Sequence, residues 1–229
     1  MSYPSAPVPV PDVVTTIAAG RDVGSVWLNE LGGATFSVGT AGSVTAEFVK
    51  VYPDEHAALL VTEAQRLTWA GRFLAVPRVI SSGPGWLHTA GVPGLSAVDP
   101  YWVARPVAAA RAIGAGLRRM HDTLPVAQFP FGRPSWIPAD APPADRLVVC
   151  HGDACAPNTL IADDGSCAGH VDLGDLGVAD RWSDLAVATM SLAWDLADVD
   201  GTLEAALLDA YGVAPDPPRM AYYRERWEE

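Results

Sequence analysis

Apolar and polar positions alternate in short stretches over the first third of the chain and fall at helical spacing over much of the rest. Residues 23–29, 35–38 and 44–52 are rich in strand-favouring side chains and separated by Gly-containing turns, which predicts an antiparallel meander. Pro53-Asp54-Glu55 ends the third strand. Asp54 is then the predicted N-cap of a helix reaching about residue 70, with Leu60, Ala64 and Leu67 at helical spacing. Two more strands, 77–81 and 86–89, flank Gly83-Pro84-Gly85. After Gly91-Val92-Pro93-Gly94 the period changes: 103–122 reads as a helix, 125–143 as a Pro- and Gly-dense loop, and 182–196, 202–211 and a segment from 217 as helices. The pattern predicts an α+β fold with a Pro-rich arm at 1–15, a small β-rich N-lobe at 16–91 and a mainly helical C-lobe at 92–229.

Charge narrows the partners. Lys plus Arg is 15 against 27 Asp plus Glu, a formal net charge of −12, which argues against a phosphate-tracking surface for nucleic acid and suits a cationic partner. Cys150, Cys155 and Cys167 are an odd, clustered set, so they make no disulfide framework and fit a reducing compartment. The Pro-rich start lacks the basic and apolar regions of a secretory signal, and no apolar run approaches the ~20 residues of a membrane span. The expectation is a cytoplasmic protein, with monomer and homodimer both open.

The chemistry concentrates in His151-Gly152-Asp153-Ala154-Cys155-Ala156-Pro157-Asn158, followed by Asp172-Leu173-Gly174. Between them, strands at 159–162 and 168–171 are joined by Asp163-Asp164-Gly165, a hairpin that returns Asp172 to Asn158. Two hard oxygen ligands side by side, with Asp153 five residues before Asn158, suit Mg²⁺ and a carboxylate that orients an attacking hydroxyl. Protein kinases use the same Asp-to-Asn step before Asp-Phe-Gly; here Gly152 and Leu173 replace the Arg and the Phe. A lone Asp-Leu-Gly is a turn in most sequences, and the weight lies in the spacing. His151 reads as structural rather than as a proton carrier. Five histidines, at 56, 88, 121, 151 and 170, do not assemble a two-metal phosphatase cage.

Cys150–Asn158 and 170–186, together with the Gly-rich start, VPGL at 92–95, LRRMH at 117–121 and the terminal AYYRERW, resemble the aminoglycoside phosphotransferases. The resemblance implies a bilobal, protein-kinase-like fold binding ATP or GTP with Mg²⁺ between the lobes, Asp153 as the base, and Asn158 and Asp172 as metal ligands. Lys50 stands where the kinase lysine belongs. It is the sole lysine beside 14 arginines, so a compact point charge is wanted there. Glu63, thirteen residues on, is its expected ion-pair partner, with a solvated helix charge as the plain alternative. The turn through Gly32, Gly33, Ala34 and Thr35 offers backbone N–H groups to phosphates, or is simply a hairpin turn.

The family further implies adenine contacts at Ala90 and Val92, acceptor contacts at Asp195 and Glu228, and bracing of the loop backbone by Asp184. Between Phe131 and His151 the chain is short where the family builds its acceptor wall, and an aromatic end is missing after Glu229. Three readings follow: an ATP-dependent O-phosphotransferase acting on an aminoglycoside-like, cationic acceptor; a kinase of another small hydroxylated metabolite; or a non-catalytic nucleotide-binding homologue.

Overall fold

A computed structural model describes residues 4, 6–39 and 46–229. The chain forms two compact units, Met1–Arg72 with Val76–Pro93, and Phe73–Ala75 with Gly94–Glu229. Among the described residues no helix is long and apolar enough to cross a membrane.

The first unit is a five-stranded antiparallel sheet of β1 (Val23–Leu28), β2 (Ala34–Val38), β3 (Glu47–Val51), β4 (Arg78–Gly83) and β5 (Trp86–Ala90), in the order β1-β2-β3-β5-β4. The expected start of the third strand, Val44 and Thr45, lies outside the described residues, as do residues 1–3 and 5 of the expected arm. The far end of that arm is folded: residues Asp12–Ala18 form α1, which opens directly after Pro11. Its Val14 and Ala18 are buried with Phe36, Val38 and Val49 of the sheet, and this apolar contact overrides the Pro-rich local signal. Helix α2 (Ala57–Ala70) follows a single 3₁₀ turn at Asp54–His56. Leu60, Glu63 and Leu67 share its buried stripe, so an acidic side chain faces inward among leucines.

The second unit holds α3 (Pro100–Val103), α4 (Pro106–Thr123), α5 (Arg181–Asp195), α6 (Thr202–Tyr211) and α7 (Pro217–Glu228). The helix expected over 103–122 begins instead at Pro106, whose fixed φ suits a first helical position, with the separate turn α3 before it. Gly114 of α4 lets α6 approach closely, since a Cβ there would meet the Leu207 carbonyl oxygen at 2.1 Å. Two small sheets sit on this helical core: β6 (Leu95–Ser96) beside the hairpin β8 (Thr159–Ile161) and β9 (Cys167–His170), and β7 (Leu147–Cys150) paired with β10 (Gly177–Asp180). The hairpin falls where the turn signal puts it. β6 and β10 carry no signal of their own and exist through long-range pairing, Leu95 with Ile161 and Gly177 with Cys150.

Candidate active site

Strand β7 delivers the chain to His151, and the next two peptide groups are held by one carboxylate. Asp184, buried on the first turn of α5, accepts from the backbone N–H of His151 (2.6 Å) and of Gly152 (3.0 Å) and from His121 Nε2 (2.9 Å). Burial alone would push this carboxyl up, but the His121 hydrogen bond and charge and the backbone donors outweigh it, and its pKa lies below the ordinary carboxylate value. His121 Nδ1 in turn meets the Tyr211 hydroxyl at 2.8 Å. Asp184, His121 and Cys150 lie close enough to suggest a metal cluster. Their atoms are already committed, however: the thiol of Cys150 bonds to Asp180 and Ser183, so the group is a hydrogen-bonded core rather than an ion site.

Gly152 explains why this loop carries no arginine after its histidine. Its φ is +86°, and a Cβ would lie 2.0 Å from the Asp175 carbonyl oxygen. His151 accepts from Asp153 N at Nδ1 (3.2 Å) and donates from Nε2 to the Val171 carbonyl (3.0 Å). Both ring nitrogens are therefore engaged in one neutral tautomer that ties the loop to the end of the hairpin.

The hairpin brings the oxygen donors together. Val171 N donates to the Asn158 carbonyl (3.0 Å), so Asp172 begins beside Asn158. Asn158 is buried and donates from Nδ2 to the Asp153 carbonyl (3.0 Å), which leaves its Oδ1 as the free end of a fixed amide. Asp153 Oδ1 is enclosed and has no hydrogen-bond partner among the described residues. Burial, and then the nearby Asp172 carboxylate, push the Asp153 carboxyl up. Asp172 takes a left-handed backbone conformation, φ +61° and ψ 53°, which costs a side chain about 1–2 kcal/mol. A strained carboxylate residue and an unanswered buried oxygen thus coincide at one place. Amide and carboxylate oxygens are hard donors, so the set fits Mg²⁺.

The short stretch after Phe131 braces this site. Ser135 N donates to both carboxylate oxygens of Asp175 (2.9 and 3.0 Å), three residues beyond Asp172. Trp136 Nε1 donates to the Gly152 carbonyl (2.7 Å), and the same indole meets Trp227 of α7 edge-on at 5.2 Å. Trp136 had no readable signal, because its partners lie 16 and 91 positions away.

In the first unit Lys50 Nζ meets Glu63 Oε1 at 2.7 Å, both largely buried. The Gly-rich turn departs from its expectation. Asn29 Oδ1 accepts from the N–H of Leu31 (3.1 Å) and Gly33 (2.7 Å), and the Asn29 carbonyl accepts from Gly32 (3.3 Å). Two of the amides expected to face phosphates, those of Gly32 and Gly33, are thus held inside the turn. Gly33 is there for space, since a Cβ would meet the Tyr52 ring at 2.5 Å. Ala34 and Thr35 sit in β2 opposite Val51 and Lys50. Ala90 ends β5, and Val92 follows outside the strand. Asp195 and Glu228 are exposed final residues of α5 and α7; Asp195 accepts from Ser191 Oγ at 2.5 Å.

A strand-borne lysine paired to a helix glutamate, a His-Gly-Asp loop and adjoining Asn and Asp side chains at a hairpin base are the features of a kinase-like phosphotransferase with an α+β fold. The sequence model of the phosphotransferase enzyme family matches residues 133–223. A streptomycin 3''-kinase of Streptomyces griseus is 30% identical in an alignment covering 94% of this chain and 95% of that protein. That alignment spans 263 positions, more than the 229 residues here, so the relative carries segments this chain lacks. Two solved structures are similar throughout. An aminoglycoside-3'-phosphotransferase of type VIII has TM-score 0.75 and 28% identity, covering 91% of this chain and 93% of that one. An aminoglycoside phosphotransferase of Streptomyces rimosus, in complex with ADP and streptomycin, has TM-score 0.69 and 26% identity, covering 95% and 98%. The chain belongs to the phosphotransferase enzyme family.

Proposed function

We propose that this protein is an ATP- and Mg²⁺-dependent O-phosphotransferase that moves the γ-phosphate of ATP to a hydroxyl of an aminoglycoside. The observation that carries the reading is the Asp153 carboxylate, whose enclosed Oδ1 has no hydrogen-bond partner among the described residues, held beside the Asn158–Asp172 pair. Asp153 accepts the proton of the acceptor hydroxyl as the new O–P bond forms and the bond to the β-phosphate oxygen breaks, releasing ADP; the proton then leaves to solvent. The raised pKa of Asp153 brings it nearer the working pH, which helps a general base. Asn158 Oδ1 and the Asp172 carboxylate would hold Mg²⁺, which when bound neutralises charge on the β- and γ-phosphate oxygens. Lys50, aimed by Glu63, binds the α- and β-phosphates. Ala90 and Val92 are the residues assigned to adenine, and Gly32–Thr35 the turn assigned to the phosphates.

The acceptor reading is supported by the net charge of −12 and by the aminoglycoside-named relatives. Asp195 and Glu228 are the acidic groups assigned to its ammonium substituents. ATP supply and three buried free thiols fit a cytoplasmic enzyme, acting as a monomer or homodimer. A coupled ADP-release assay with streptomycin, kanamycin-type sugars and uncharged alcohols tests the proposal. Acceptor-dependent release with an aminoglycoside, abolished by Asp153→Ala, is expected. Release with no aminoglycoside but with a neutral alcohol would move the protein to a different acceptor class, and no release with any acceptor would overturn the assignment.

A further inference from the structure

The turn between Asp153 and Asn158 is fastened by a pair of residues that neither motif contains. Ala156 is fully buried and opens the 3₁₀ turn Ala156–Asn158, so its N–H has no partner within the turn. That N–H donates to Ser191 Oγ at 2.8 Å. Ser191 is itself fully buried on α5 and donates its only hydroxyl proton to Asp195 Oδ2, one helical turn on, at 2.5 Å. The serine oxygen thus accepts from the loop while its proton is drawn toward an exposed carboxylate. A polarised hydroxyl is a stronger acceptor, so the two bonds reinforce one another.

We infer that Ser191 and Asp195 form a positioning pair: Asp195 acts through the Ser191 hydroxyl to hold the Ala156 N–H, and with it the placement of Asn158 relative to Asp153. The second oxygen of Asp195 accepts no bond from the described residues, so an ammonium group of a cationic acceptor can dock on the carboxylate that tightens the loop. Acceptor binding and loop order are then coupled through two hydrogen bonds. The inference rests on reading 153–158 as the catalytic loop.

The test is a double-mutant cycle read in two ways. Ser191→Ala, Asp195→Ala and the double variant are compared in steady-state transfer and in single-residue amide hydrogen exchange at Ala156. Each single change should lower kcat roughly tenfold, with the KM for ATP unchanged, and speed Ala156 exchange by a similar factor. The double variant should match the singles, since both changes cut one chain. Asp195→Asn, which keeps an acceptor oxygen, should leave exchange near wild type and raise only the KM for the acceptor. Multiplicative losses in kcat, or Ala156 exchange unaltered by Asp195→Ala, would overturn the pairing. Wild-type protein that transfers to no aminoglycoside, yet shows this exchange pattern, would remove the acceptor assignment and leave the pairing standing.

Discussion

Replacing Gly152 with alanine separates two costs that usually arrive together. With φ at +86°, any Cβ there meets the left-handed penalty of about 1–2 kcal/mol. The same Cβ would lie 2.0 Å from the oxygen and 2.6 Å from the carbon of the Asp175 carbonyl, so backbone must move by more than an ångström. Overpacking of this kind costs about 1–3 kcal/mol, and together the two reach roughly 2–5 kcal/mol. For a chain of this length that lowers the unfolding midpoint by roughly 4–20 °C. Gly201→Ala is the matched control: its φ is +76°, but nothing lies within 4 Å of its Cβ, so only the backbone cost applies. Differential scanning calorimetry of both variants yields the clash by difference. Because Asp175 anchors Ser135 and follows Asp172 by three residues, Gly152→Ala should also weaken Mg–nucleotide binding in titration calorimetry. A Gly152→Ala midpoint within a degree or two of the control would refute the argument that close approach to Asp175, and not conformation alone, demands glycine here.

Asp153→Asn should abolish transfer yet raise the midpoint at neutral pH. The folded carboxyl has a raised pKa, so ionisation opposes folding above the ordinary carboxylate value; the gain should vanish in melts at pH values low enough to protonate Asp153. Asp184→Asn should act in the opposite sense. Its pKa is lowered on folding, so its contribution is complete above about pH 4 and is lost as the pH falls through the folded value; the variant should lose about 3 kcal/mol at pH 7 and converge on wild type in acid unfolding curves. Lys50→Met should raise the KM for ATP about tenfold or more and also destabilise, because Glu63 is left buried without its ammonium. Adding Glu63→Gln should restore the midpoint but not the KM, and recovery of both would remove Lys50 from nucleotide binding.

What could be read from the residues alone was whatever local spacing encodes. The step from Asp153 to Asn158, the Asp-Asp-Gly turn and the return to Asp172 are all local, and the hairpin β8–β9 follows them within a residue at its ends. Lys50 stood out by composition, and the helix that carries Glu63 by its period. The groups that hold those residues in place were not legible, because they act over distance. His121 reaches Asp184 across 63 positions, Ser191 reaches Ala156 across 35, and Ser135 reaches Asp175 across 40. Strand β10 has no alternation to betray it and depends on pairing with β7. At the Gly-rich turn the glycines suggest amides open to a ligand, whereas in the fold Gly33 N–H is bonded to the side chain of Asn29 and Gly32 N–H to its main-chain carbonyl.

At Asp172 the conformation of the main chain invites glycine or asparagine, while the proposed chemistry insists on a carboxylate. Heat tolerance and the proposed drug inactivation therefore pull that codon in opposite directions. A library screened only for survival at high temperature should drift to small or amide substitutions there and return sturdy, inert proteins, so thermal engineering of this chain has to keep an antibiotic in the growth medium at every round.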